Sequence, residues 1–208
     1  MSQPSQFSLL AQRRFGPFFW TQFLGAFNDN LFKTALLVML TYEALEWTTI
    51  GPATLIVVIP ALFILPYVVF SATAGQLADK FEKSRLARVV KVLEIAIMLV
   101  AGIGWMTHTL WLLIAAVVGM GVHSTLFGPV KYAYLPQHLT QQELIGGNGL
   151  VEMGTFVGIL LGQILGALLI AHKPWGIELV AGGTLAVAVL GLAASWRILH
   201  SPAPEPAL

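Results

Sequence analysis

Apolar residues run through this chain in six long stretches separated by short polar breaks, at roughly Pro17 to Tyr42, Pro52 to Ala74, Leu86 to Met106, Leu110 to Tyr132, Gly149 to Ala171 and Ile177 to Leu199. Each is about as long as the 20 or so residues that carry an α-helix across the hydrocarbon of a bilayer. The pattern therefore predicts an all-α integral membrane protein with a six-helix bundle over residues 17–200. A polar segment, residues 1–16, precedes it. The stretch SPAPEPAL, residues 201–208, follows, and its prolines predict a linker rather than a helix.

Composition rules out the soluble alternative. The 208 residues are 57% hydrophobic and only 10% charged, with a mean hydropathy of +0.80. That is less than half of the roughly 25% charge of an average chain, too little to coat a water-exposed surface. Without cysteine the chain has no disulfide framework, thiolate metal site or thiol nucleophile. A net charge of +1 with no basic patch gives nucleic acid nothing to bind. No metal site or cofactor is expected.

The placement of the cations says more than their total. Arg13, Arg14, Lys80, Lys83, Arg85, Arg88, Lys91, Lys131 and Arg197 fall before, between or just beyond the spans on one side, whereas the opposite loops hold Lys173 alone and Lys33 lies inside span one. The positive-inside rule then puts both termini in the cytoplasm. A cleaved signal peptide is the alternative reading of span one, but Asn28, Asp29, Asn30 and Lys33 interrupt it and no small-residue cleavage pattern follows.

Charges inside a span cost about 2.5–3.5 kcal/mol each on insertion scales, so they need a partner, a cavity or a function. Asn28, Asp29 and Asn30 are about 100° apart on the helix, and Lys33 follows Asp29 by four residues, where carboxylate and ammonium can meet. Two readings stand: a neutralised pair, or a hydrated cavity in which Asp29 binds a cation or proton while Lys33 attracts an anionic group. Glu152, one turn after Asn148 in span five, is either an interfacial carboxylate or a substrate ligand. Lys131 either snorkels to the interface or contributes a cation to the same site. His123 is a polar contact between helices or a proton relay, and Glu94 pairs with Lys91 at i,i+3.

Span five also carries Gly154, Gly158, Gly162 and Gly166, a strict repeat of four that lays one stripe along the helix. Glycine lets another backbone approach, so the stripe predicts a packing seam. Pro60 and Pro66 in span two and Pro129 in span four should kink their helices.

Between spans two and three, Gly75, Leu77, Asp79, Lys80, Lys83 and Leu86 fit G-x-L-a-D-r-x-G-r-k-x-x-l, which resembles the signature of major facilitator superfamily transporters at the same place in the topology. The second glycine of that signature is Glu82 here. The resemblance implies the N-terminal half, a 3+3 inverted repeat, of a twelve-span transporter. It also implies a conformational latch at Gly75, Asp79 and Arg85 that steadies the outward-facing state against the other half. The strings QFLGAFNDN (Gln22 to Asn30), GPVKYAYLPQHL (Gly128 to Leu139) and GGNGLVEMGTFVGILLG (Gly146 to Gly162) resemble the lysophospholipid transporter branch, some of whose members are fused to an acyltransferase. That likeness implies a lysophospholipid cargo such as lysophosphatidylethanolamine, moved by alternating access to the inner leaflet of a bacterial inner membrane. The expected partners are membrane lipid, the lysolipid and a C-terminal six-helix half. Asn28, Asp29, Asn30, Lys33, Lys131 and Glu152 would bind its head group or a coupling ion, and the glycine stripe would meet the missing half.

Two other classes compete. A homodimeric six-helix exporter or channel would pair two copies through the glycine stripe. A membrane acyltransferase would need H-x-x-x-x-D, but none of His108, His123, His138, His172 or His200 has an aspartate five residues on.

Overall fold

The computed structural model describes residues 5–205, without the side chain of Leu45. The first four residues of the N-terminal segment and the last three of the Pro-rich linker lie outside the described residues. After a short 3-10 helix, Gln6–Ala11, come α1 (Gly16–Trp47), α2 (Pro52–Lys80), α3 (Lys83–Met106), α4 (Leu110–His138), α5 (Gln141–Ile170) and α6 (Gly176–Ser195). No strand occurs among the described residues. Five of the six, all but α3, are long and apolar enough to cross a membrane by length and composition. With Lys83, Arg85, Arg88, Lys91 and Glu94, α3 carries more charge than any other helix.

The helices outrun the apolar stretches that announce them. Gly75 to Lys80 form the end of α2 rather than a loop, α4 continues to His138, and α5 begins at Gln141, eight residues before the apolar run. Backbone hydrogen bonding does not stop where lipid stops; it stops at caps. Pro17 and Pro52 sit in the first turns of α1 and α2, where no amide is needed. A Thr140–Glu143 capping box starts α5. At α3 the N-cap is Glu82, whose carboxylate accepts from the amides of Ser84 and Arg85 at 2.9 and 2.8 Å. The departure from the signature glycine thus has a structural role, and the residue's φ of −64° requires no glycine.

Glu82 also accepts from the amide of Ser201 at 2.7 Å. Burial pushes its carboxyl up, but the bonds from Ser201, Ser84 and Arg85 outweigh it and hold the group below the ordinary carboxylate range. The beginning of the Pro-rich stretch is therefore fastened, not loose: Lys83 donates its amide to Ser201 O and its ammonium to Pro202 O, and the amide of Glu205 reaches Asp79 O. Ser201 is fully buried.

Helix pairing follows a simple symmetry. The most extensive contacts are α1 with α5 and α2 with α4; α3 packs on α4 and α6, and α6 on α1. Exchanging helices 1–3 with 4–6 turns α1·α5 into α4·α2 and α3·α4 into α6·α1, and leaves α3·α6 unchanged. Because α3 ends on the face opposite to that on which α1 starts, the second triplet is inverted relative to the first. The bundle is two inverted three-helix repeats, although the two share no visible sequence repeat.

Two apolar cores fill it. One, around Phe32, Leu36, Met98, Trp105 and Val117, occupies the end remote from the termini. The other, around Phe15, Phe18, Val90, Val130 and Tyr134, occupies the terminal end. A polar layer at mid-length of α1, α3 and α4 separates them.

Candidate functional site

The layer is built from residues at matching depth. Asp29, Glu94 and the pair His123 and Ser124 each lie near the middle of their helices, which brings three elements to one level of the bundle. Glu94 is completely buried and collects three partners. Lys91 Nζ stands 2.6 Å from Oε2, Asn28 Nδ2 donates to Oε1 at 2.7 Å, and His123 Nε2 lies 3.2 Å from Oε2. Lys91, 1% exposed, threads between α1 and α6 where both are glycine: a Cβ at Gly25 or Gly191 would come within 2.9 or 3.2 Å of its ammonium. Lys91 is thus an interior residue, not one of the loop cations with which the orientation count groups it.

From His123 the layer continues to the cleft. Its Nδ1 lies 3.5 Å from Ser124 Oγ, and Ser124 donates to Asp29 Oδ2. The other oxygen of Asp29 is buried and has no hydrogen-bond partner among the described residues. A buried carboxylate oxygen without a donor is costly, so it marks a place prepared for one.

Asp29 lines a cleft of about 410 Å³ together with Asn30, Lys33, Lys131 and Phe63. Among the described residues Asp29 and Lys33 do not form the ion pair that the first of the two readings requires. Ser124 holds the carboxylate from α4, while the Lys33 ammonium sits over the face of Phe63 on α2, 3.6 Å from the ring centroid. The i,i+4 spacing allows a pair on an isolated helix; here each side chain finds a competing partner on a neighbouring one. Anion and cation therefore remain separate within one cavity.

The three consecutive polar residues point three ways. Asn28 serves Glu94, Asp29 faces the cleft, and Asn30 returns its amide to Ala26 O of its own helix. At the cleft rim Lys131 pairs with Glu152 at 2.7 Å and donates to Thr155 Oγ1 at 3.3 Å, so it stands in the cleft wall as the cationic half of an ion pair. Glu152, with 44% of its side chain exposed, also accepts from Tyr132 OH.

The stripe of glycines faces α1. A Cβ at Gly162 would lie 2.3 Å from Phe27 O, at Gly166 2.4 Å from Leu31 O, at Gly158 3.1 Å from Phe23 O, and at Gly154 2.6 Å from the Phe19 ring. It is a packing seam inside this bundle. The expectation that it meets a missing half, or a second copy, is overturned because α1 already occupies it. The signature residues Asp79 and Arg85 are both exposed and make no ion pair among the described residues; Gly75 has open space where a Cβ would stand.

A bundle of six long helices, five of them apolar enough to cross a membrane, arranged as two inverted triplets around a charged cavity at mid-depth is the architecture of secondary membrane transporters. The sequence matches the Major Facilitator Superfamily profile over residues 18–208, and the chain belongs to that family. It is 28% identical over 188 residues to the lysophospholipid transporter LplT of Serratia proteamaculans (strain 568), covering 90% of this chain and 43% of that protein. It is 30% identical over 174 residues to the LplT of Enterobacter sp. (strain 638), covering 82% and 39%. With the LplT of Klebsiella pneumoniae (strain 342) the identity is 33% over 150 residues, covering 71% and 34%. The chain thus spans less than half the length of these curated relatives. No solved structure matches it. Family and apolar helices together make it a multi-pass protein of a bacterial inner membrane, of a transporter family rather than an enzyme family.

Proposed function

We propose that the chain is the N-terminal half of a lysophospholipid transporter, and that the cleft holds the head group of a zwitterionic lysolipid such as lysophosphatidylethanolamine. The observation that carries this reading is the unpartnered oxygen of Asp29 in the same cavity as the unpaired ammonium of Lys33. A lipid ammonium supplies the donor that Asp29 lacks, and the phosphate takes Lys33 from its aromatic face. Charge-assisted bonds of this kind are the strong ones in a low-dielectric site. The rim pair Lys131 and Glu152 can open toward the same head group, with Asn30 and Asn28 holding the Asp29 turn in place.

In this reading a C-terminal six-helix half closes the cleft. The outer faces of α2 (Val57, Leu65, Val68) and α5 (Phe156, Leu160, Leu168) flank it and are apolar and exposed, suited to lipid or to that half. Asp79 and Arg85, exposed on the end that carries the chain termini, are the contacts for the latch, and that end is cytoplasmic. Alternating access follows from rocking one half against the other around the fixed cleft.

The test is translocation of labelled lysophosphatidylethanolamine by the complete transporter in proteoliposomes. Asp29→Asn and Lys33→Ala should each lower the rate at least about tenfold, as loss of one charge-assisted bond implies. Unchanged rates in both would remove them from the site.

A further inference from the structure

A second cavity, of about 710 Å³, lies between the start of α1 and the end of α6 and shares no residue with the cleft. Its walls are apolar, with Pro17 and Trp20 on one side and Ala193 and Ala194 on the other, and Arg13 and Arg197 stand in its lining. No acidic residue lines it.

The two arginines are distinguished by what they lack. Arg14, next to Arg13, places both terminal nitrogens on Glu143, at 2.8 and 2.5 Å, and also donates to His138 O. Arg13 and Arg197 have neither ion pair nor side-chain hydrogen bond among the described residues. Arg13 just precedes α1 and Arg197 just follows α6, so both stand at the same end of the bundle, where helices leave the hydrocarbon. Their level is the membrane boundary whichever way the chain is oriented. Trp20, 48% exposed, lies one turn into α1, at the depth where an indole spans apolar and polar layers.

We propose that this groove binds an anionic phospholipid of the surrounding bilayer. The lipid phosphate is held between the guanidinium groups of Arg13 and Arg197, and an acyl chain lies along the α1–α6 groove against Trp20 and Ala194. Guanidinium forks match phosphate oxygens in two-point contact, and basic pockets between helices at a membrane surface select anionic head groups. The apolar walls require an occupant with a hydrocarbon tail, which commits the site to a lipid and not to a soluble phosphate. The site is separate from the cargo cleft and rests only on these helices spanning a bilayer.

The experiment is native mass spectrometry of the full chain, titrated with phosphatidylglycerol, phosphatidylcholine or glycerol 1-phosphate. Phosphatidylglycerol should bind in preference to phosphatidylcholine. In Arg13→Gln/Arg197→Gln its affinity should fall about 30-fold, roughly fivefold for each basic group lost. Ala194→Phe, which keeps both charges and fills the groove, should weaken both lipids together. Phosphatidylglycerol binding unchanged in the double variant would overturn the site. Glycerol 1-phosphate competing as well as the lipid would overturn the lipid occupant. Lysophosphatidylethanolamine transport serves as the separate readout, since loss of the groove and loss of the cleft then appear in different measurements.

Discussion

Glu94 is the acceptor on which the polar layer depends. It is wholly buried and neutralises a lysine that is equally buried, and it orients Asn28, the neighbour of the proposed ligand Asp29. Removing one member of such a pair leaves an uncompensated charge in a low-dielectric interior, at a cost of about 3–5 kcal/mol, whereas removing both costs far less. Glu94→Leu should therefore lower the thermal unfolding midpoint of the purified chain sharply, and Lys91→Met in the same chain should restore much of it. An unchanged midpoint for Glu94→Leu alone would show that Lys91 escapes to solvent. At this scale the sequence exposed the anomalous residues but not their partners. Asn28, Asp29 and Lys33 stand out because charges and amides are out of place in an apolar run, and the Lys91–Glu94 pair is visible from its spacing. That Asp29 turns to Ser124 and Lys33 to Phe63 depends on how α1, α2 and α4 are rotated about their axes, which no single helix encodes.

Among the elements, α5 shows how a small-residue pattern becomes a distance. Carbonyl oxygens of α1 approach so near Gly162 and Gly166, 2.3 and 2.4 Å from where a Cβ would stand, that a methyl group at either would overlap them, while at Gly158 the distance is 3.1 Å. Backbone cannot move aside as a side chain can, so α1 and α5 must separate and lose packing along the seam. Gly162→Ala and Gly166→Ala should each destabilise the bundle by about 1–3 kcal/mol, the range of overpacking in a tight core, and Gly158→Ala by less. Midpoints of thermal unfolding in detergent rank them; equal effects at all three would mean that the seam has slack. The period of four predicted a seam, and the wrong neighbour was assigned because periodicity reveals a face and not its partner. Glu82 teaches the converse. Where the signature has glycine, this chain uses a carboxylate to cap α3 and to fasten Ser201, so a mismatch in a motif is here a different solution to the same turn.

For the whole molecule, six apolar runs with short breaks were enough to give the class of fold, since lipid permits few alternatives to helices with their backbone bonds satisfied internally. The symmetry of the pairing, α1·α5 matching α4·α2, was not legible because the two triplets conserve packing geometry without shared residues. That symmetry places α1 and α4 side by side at the cleft, with the apolar faces of α2 and α5 to either side, and it leaves the charged cavity at mid-depth between two apolar cores. The central claim is that this cavity receives the head group of a lysolipid. Its most direct test is photolabelling of the complete transporter with a lysophosphatidylethanolamine carrying the photoreactive group on its head group, followed by peptide mapping. The account predicts labels on the segments bearing Asp29 and Lys33, Phe63 and Lys131, competed by unlabelled lysolipid and lost in Asp29→Asn. Labels confined to lipid-facing positions such as Leu190 and Ile103, unchanged by that substitution, would contradict it.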